Sequence, residues 1–81
     1  MPRFYFHVHH KRSHHDKEGS ELPDGRAAWV EATTSCGEMM KDLDGQLEVG
    51  PEWRMEVTDE NRNVLFILRF SAEMGPDFHP T

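Results

Sequence analysis

The chain has 81 residues, of which 36% are hydrophobic, and its aromatic residues are two Trp, one Tyr and five Phe. This is enough for one hydrophobic core and too little for two domains. Folding a chain of this size buries only about 60–65% of its surface, so association with a second copy would add stability. The one cysteine excludes an intrachain disulfide. No apolar run approaches the roughly 20 residues of a membrane span, and no signal-peptide pattern is present, so we expect a cytoplasmic protein.

The net charge of −6 is unevenly distributed along the chain. Residues 1–15 carry three basic residues and no acid, whereas residues 16–81 carry six basic and fifteen acidic residues, a net −9. An acidic body repels phosphate backbones, so we do not expect a nucleic-acid partner. We expect no membrane partner, because no apolar run is long enough to span a bilayer. The basic end could contact an acidic partner or the acidic part of a second copy, although a solvated surface without a partner would show the same asymmetry.

The first predicted element is a half-buried strand. Phe4, Phe6 and Val8 alternate with polar residues and with Tyr5, a period of two that places these three side chains on the core face. The alternate residues should face solvent, a partner or a ligand. Residues 10–21 are polar and contain a glycine, which is typical of a turn. This segment could include a short return strand.

A helix is predicted to follow Leu22-Pro23-Asp24. Asp24 can cap the free amides of the first turn, and its charge suits the positive end of the helix dipole. Small and apolar residues then recur at helical spacing, at Ala28, Ala32, Cys36, Met39 and Leu43. We expect the helix to end near residues 42–44, with Gly45 as its C-cap. Gly37 lies inside the helix, which either approaches the sheet closely there or is weak.

The second half of the sequence predicts a hairpin. Trp53, Met55 and Val57 alternate with polar residues, and residues 59–63 are typical of a turn. Residues 64–70 are apolar on both faces of the strand that follows. The predicted core set is Val64, Phe66, Leu68 and Phe70. Leu65 and Ile67 then lie on the opposite face, so this strand should be central in the sheet or covered by a partner.

These elements predict an α+β domain over residues 1–70, followed by a flexible tail over residues 71–81. The expected architecture is a three- or four-stranded antiparallel sheet with one helix on one face, in the order β-(β)-α-β-β. The two-residue periods and the helical stripe agree with this arrangement.

The sequence resembles a family of small bacterial proteins of unknown function. Members open Met-Pro-Arg-aromatic-aromatic-Phe-His and continue through Asp-x-Glu-Gly-x-Glu-Leu-Pro-Asp into an alanine-rich helix, then a Val-Thr-Asp-Glu turn and a final strand ending in Phe. The chain matches these features at Met1 to His7, Asp16 to Asp24, Ala27-Ala28, Val57 to Glu60 and Phe70. The resemblance implies the fold and no chemistry. The family pattern retains His7. His9, His10, His14 and His15 instead occupy positions where the family more usually has acidic, glycine or other polar residues.

The N-terminal histidines are the candidate metal ligands. Side chains two apart on a strand share a face about 6–7 Å apart, so two imidazoles could hold one divalent ion. The candidate ligands are His7, His9, His14, His15 and Asp16. The competing interpretation is that the loop histidines are solvated and that His7 is a hydrogen-bonded strand residue; its functional alternative is a proton-transfer or ligand-contact group.

Three further patterns favour structural interpretations. Asp16, Glu18 and Glu21 could supply acid–base chemistry or cation ligands, but a charged glycine-bearing turn explains them better. Cys36 lies on the apolar helix face, which predicts a buried core thiol and not a nucleophile. Tyr5, Arg54 and Arg69 could form a basic, aromatic sheet face with His7 that stacks nucleic-acid bases, but the net charge of −6 disfavours that function.

The favoured function is a non-enzymatic module that works through protein contacts as a homodimer. The lack of a catalytic constellation, the small core and the two-sided apolar strand support this expectation. The predicted interaction residues are Tyr5, His7, Leu65 and Ile67. The alternative is a metal-binding or small catalytic site on the histidine cluster, with a divalent metal as its cofactor.

Overall fold

A computed structural model describes residues 1–10, 12–43, 50 and 52–79. It shows one α-helix and five strands in an antiparallel sheet, the α+β class that the sequence predicts, with one strand more than expected. The elements in chain order are β1 (Arg3–His10), β2 (Arg12–His14), β3 (Ser20–Glu21), α1 (Gly25–Leu43), β4 (Trp53–Thr58) and β5 (Val64–Phe70).

The strand order across the sheet is β2-β1-β4-β5, and β3 also pairs with β1. The strands β2 and β3 lie along the two ends of the same edge of β1: His14 pairs with Val8, and Ser20 pairs with Phe4. The polar segment that follows β1 therefore pairs with it twice, as β2 and as β3. A loop over residues 15–19 connects these two strands.

The strand β5 pairs only with β4 in the described residues, so it is an edge strand and not a central one. Val57 pairs with Phe66 and Thr58 pairs with Val64, which leaves Leu65 without a partner in a β-bulge. An extra residue in one strand shifts its alternation by one. Val64 is consequently 52% exposed, so its predicted place in the core is wrong.

The helix begins as the sequence predicts, because Asp24 Oδ1 accepts a hydrogen bond from the Ala27 amide at 2.9 Å. Its small residues Ala28, Ala32 and Cys36 are buried against the sheet. A Cβ at Gly37 would meet nothing within 4 Å, so no close approach requires that glycine. The helix ends at Leu43, and the predicted cap at Gly45 lies outside the described residues.

The core lies between α1 and one face of the sheet. Its buried members are Phe4, Ala28, Ala32, Cys36, Trp53, Met55 and Val57. The partly buried hydrophobic side chains packed around them are Phe6, Val8, Leu22, Met39, Phe66, Leu68 and Phe70. The predicted core face of β1 is thereby confirmed.

In the described residues, the one helix packs on this core face, so the opposite face of the sheet carries no helix. We call this opposite surface the open face. The cross-strand register brings together on it side chains from three strands, namely Tyr5, His7, His9, Arg54, Glu56, Thr58, Ile67 and Arg69.

Candidate functional site

A cavity of about 570 Å³ opens on one end of the open face. This volume falls within the range of small-molecule and peptide pockets. Its walls come from β1, β4, the loop after β2 and the turn between β4 and β5. The lining residues are Tyr5, His7, His15, Asp16, Glu56, Thr58, Asp59, Glu60 and Arg62.

Both ring nitrogens of His7 are engaged by hydrogen bonds within the fold. The backbone amide of Asp16 donates to Nδ1 at 3.1 Å, so Nδ1 carries no proton. The ring proton is therefore on Nε2, which donates to the hydroxyl of Thr58 at 3.0 Å. Thr58 is 7% exposed, so this bond satisfies polar groups shielded from water. This geometry favours the interpretation of His7 as a hydrogen-bonded strand residue over that of a proton-transfer or ligand-contact group.

Asp16 organises the loop beside His7 through its carboxylate. Oδ2 accepts the amide of Phe6 at 3.2 Å, and Oδ1 accepts the amides of Glu18 and Gly19 at 3.2 and 3.0 Å. Burial raises the pKa of Asp16, but the three amides outweigh it and hold the pKa below its ordinary value. A carboxylate thus takes the place of a neighbouring strand at Phe6.

Arg3 fastens the following segment to β1. Its guanidinium donates to the Glu18 carbonyl at 2.7 Å and to Glu21 Oε1 at 2.9 Å. Gly19, between them, has φ of +70°, and a Cβ there would lie 2.9 Å from the Phe4 carbonyl oxygen. Only glycine fits such a close approach at positive φ. The acidic, glycine-bearing turn is therefore structural, as the sequence favoured.

The histidine cluster is partly assembled. The His15 ring lies 5.4 Å from the His7 ring and 5.7 Å from the His9 ring, measured between centroids. His14 pairs with Val8 and lies on the helix side, so the fold separates it from the others. Asp16 is close to His7, but its oxygens hold backbone amides.

In the described part of the chain, no group of three or more His, Cys, Asp or Glu side chains is placed to hold a metal ion. Burial, and next the positive charge of Arg54, lower the pKa of His9. Its Nδ1 lies 2.9 Å from the hydroxyl of Ser13. Metal binding by this cluster stays a prediction.

The carboxylates of the β4–β5 turn also have structural partners. Asp59 Oδ1 accepts the amides of Asn61 and Asn63 at 2.8 and 2.9 Å, and hydrogen bonds from Asn63 lower the pKa of Asp59. Glu60 Oε1 accepts the Arg3 amide at 2.8 Å. Arg62 has φ of +66°, as this turn requires. These hydrogen bonds hold the turn together, and the one from Arg3 to Glu60 links it to the start of β1.

Cys36 is buried, as the sequence predicts. Its thiol lies 3.7 Å from the sulfur of Met55, and burial raises its pKa. A raised pKa keeps the sulfur protonated and unreactive. This thiol therefore belongs to the core.

Tyr5, Arg54 and Arg69 do share the open face, as expected. Arg54 pairs directly with Arg69 across the strands, and Tyr5 stacks with His7 at 6.4 Å between centroids. Arg69 has an exposed ion pair with Glu52 at 3.5 Å. The cationic pair lies at one end of the face and the cavity with its carboxylates at the other, so the open face has a basic end and an acidic end.

Sequence reasoning missed five lining residues, namely Glu56, Thr58, Asp59, Glu60 and Arg62. The alternation in β4 places Glu56 and Thr58 opposite the core, but the sequence does not give the register that sets Thr58 against Tyr5. A second cavity of about 360 Å³ lies on the helix side. It is lined by Val8, His10, His14, Met39, Asp42, Leu43 and Trp53.

Together these features define a small α+β domain whose polar residues mainly hold its own loops in place. In the part of the chain that the structure describes, no helix covers the open face of its sheet. The chain belongs to the family described as Domain of unknown function (DUF6894), whose model matches residues 3–71. Comparison with curated proteins and with solved structures found no match. Within the described residues, no helix is long and apolar enough to cross a membrane.

Proposed function

We propose that this domain is a non-enzymatic protein-interaction module that self-associates through its open face and the adjoining strand β5. The observation that carries the proposal is the apolar surface on β5. Val64 is 52% exposed and Leu65 is 42% exposed, and Ile67 lies half-buried on the open face beside Glu56. Exposed apolar side chains on a sheet surface favour association.

The chemistry of the site supports contact over catalysis. His7 uses both ring nitrogens internally, Asp16 holds three amides, and the Cys36 thiol is buried. A general base or nucleophile needs an unengaged, accessible atom near a bound substrate. Each of these candidates is instead committed to the fold.

The charge distribution favours a second copy as the partner. Arg54 and Arg69 lie at one end of the open face, and Asp59 and Glu60 lie at the other. A two-fold axis between the ends brings the basic end of each copy to the acidic end of the other. Each exposed pair contributes only about 0.2–1 kcal/mol, so these charges set orientation while apolar burial supplies most of the affinity.

The test is sedimentation velocity at physiological salt on the wild type and on the double variant Leu65→Asp, Ile67→Asp. We expect the wild type to sediment as a dimer and the double variant to dissociate at least about tenfold more readily, because two carboxylates would be desolvated at the interface. The control is Val30→Asp, which places one such charge at an apolar helix position that is 52% exposed. A monomeric wild type, or an unchanged double variant, would refute the proposal.

A metal site is the second candidate, and the closeness of His9 and His15 favours it. Two imidazoles from one hairpin can hold zinc, nickel or copper. The test is native mass spectrometry of untagged protein purified without a metal column. Stoichiometric metal that is lost in His15→Ala would establish the site, whereas millimolar binding that survives this change would refute it.

A further inference from the structure

We propose that two copies pair along the outer edge of β5, antiparallel, so that their sheets join into one about a two-fold axis at Ile67. This inference rests on the proposed function, because it specifies how self-association takes place. Within the surface named above, it makes the backbone edge of β5 the contact, so the two open faces lie side by side and do not pack on one another.

The strand β5 has the properties of a pairing edge. It is seven residues long, and in the described residues only β4 pairs with it. Its other side therefore presents a row of backbone donors and acceptors. Natural edge strands are normally protected by proline, lysine, short length or a β-bulge. This strand contains neither proline nor lysine, Arg69 is its only charged residue, and its bulge lies near its start, at Leu65.

The alternation along β5 selects the register. Directly opposed residues of an antiparallel pair share a face, and the alternation of β5 is regular from Phe66 to Phe70, after the bulge at Leu65. Centring on Ile67 sets Phe66 opposite Leu68 of the second copy, both on the core face, and places both helices on the same side of the joined sheet. Arg69 then lies opposite Leu65 of the second copy, which keeps the two Arg69 cations apart.

The surroundings of the edge fit a second copy. Trp29 of α1 is 45% exposed, and its ring packs edge-on against Phe66 with 5.1 Å between centroids. This aromatic pair forms an apolar surface beside the edge of β5, on the side of the sheet that carries the helix. In the same register, Arg69 lies opposite Leu65 of the second copy, near the start of that copy's β5, and the turn before this strand carries Asp59 and Glu60.

The test is disulfide trapping of Ile67→Cys under mild oxidation. Opposed residues of adjacent strands lie about 4.5–5.5 Å apart between Cα atoms, which suits a disulfide. The matched control is Glu56→Cys, the cross-strand partner of Ile67 on the same face. Edge pairing leaves three strand spacings, about 14 Å, between the two Glu56 positions, so no disulfide can form. The wild type, with only its buried Cys36, gives the background.

We expect at least about tenfold more covalent dimer from Ile67→Cys than from Glu56→Cys, given the distance limits on a disulfide. A second measurement covers the case in which Ile67→Cys weakens the dimer: Leu65→Cys and Arg69→Cys chains should crosslink when mixed and not separately. A wild-type dimer with no crosslink in either experiment, or with equal trapping at Glu56, would overturn edge pairing alone. A wild-type monomer in sedimentation would overturn the proposed function as well.

Discussion

Two hydrogen bonds join the loop residue Asp16 to β1 at His7. The Asp16 amide donates to His7 Nδ1, while the Asp16 carboxylate accepts the amide of Phe6, the residue before His7. The pair therefore closes the gap between β2 and β3 along the edge of β1. No neighbouring strand lies at this point in the described residues. Without Asp16, the Phe6 amide and His7 Nδ1 would therefore have to be satisfied by water or remain unpaired.

Replacing Asp16 should destabilise the fold locally and globally. In Asp16→Ala the amides of Phe6, Glu18 and Gly19 lose their acceptor, and we expect the free energy of unfolding to fall by about 1–3 kcal/mol. Urea denaturation followed by circular dichroism measures this change. Lys17→Ala is a matched control in the same loop, because Lys17 is exposed. Equal stability of Asp16→Ala and Lys17→Ala would contradict the role of the carboxylate.

The same carboxylate predicts an acid dependence of stability. The folded-state pKa of Asp16 is below its ordinary value of 3.8. Its stabilisation is therefore complete above the unfolded-state pKa and is lost as the pH falls through the folded-state pKa. We expect the wild type to lose stability more steeply than Asp16→Asn below about pH 4. Thermal melts across that range give the comparison, and parallel curves would rule the linkage out.

Two glycines should respond oppositely to alanine. In Gly19→Ala the new Cβ would meet Arg3, Tyr5 and the Phe4 carbonyl at 2.8–2.9 Å with φ at +70°. We expect a loss of about 1–3 kcal/mol or more in the free energy of unfolding. Gly37→Ala meets open space inside the helix, so we expect a gain of about 1 kcal/mol. Chemical denaturation of both variants tests the pair, and a stable Gly19→Ala would show that the loop can move away from β1.

The Cys36 thiol should resist modification until the protein unfolds. Its burial against Met55 and its raised pKa keep it protonated and inaccessible. We expect the reaction with a chromogenic disulfide reagent to be slow at pH 7–8 and to become fast in urea, as thiolate chemistry requires. An exposed control is Ser13→Cys in the same chain. Rapid labelling of native wild type would mean that α1 separates readily from the sheet.

Much of the fold could be predicted because its signals are local. The alternation of Phe4, Phe6 and Val8 marks a face, and Asp24 marks the helix start through a hydrogen bond three residues along the chain. The burial of Cys36 followed from helical spacing alone. These features depend on neighbours in sequence, so a single sequence contains them.

The site depended on register, which the sequence does not give. Val64 left the core because a bulge at Leu65 shifted the strand, and nothing in the local pattern marks that bulge. Thr58 meets His7 only because β1 and β4 pair as they do. The partial histidine cluster likewise reflects cross-strand pairing, which placed His14 on the other face.

The capped edge of β1 determines what kind of assembly this sheet can build. On that side the neighbours are strands of three and two residues, separated by a loop held by the Asp16 carboxylate. Such short strands offer little template for further pairing. If β5 pairs with β5 of a second copy, the joined sheet ends on both sides in these short strands. Growth then stops at two subunits, and the exposed strand yields a closed particle and not a fibre.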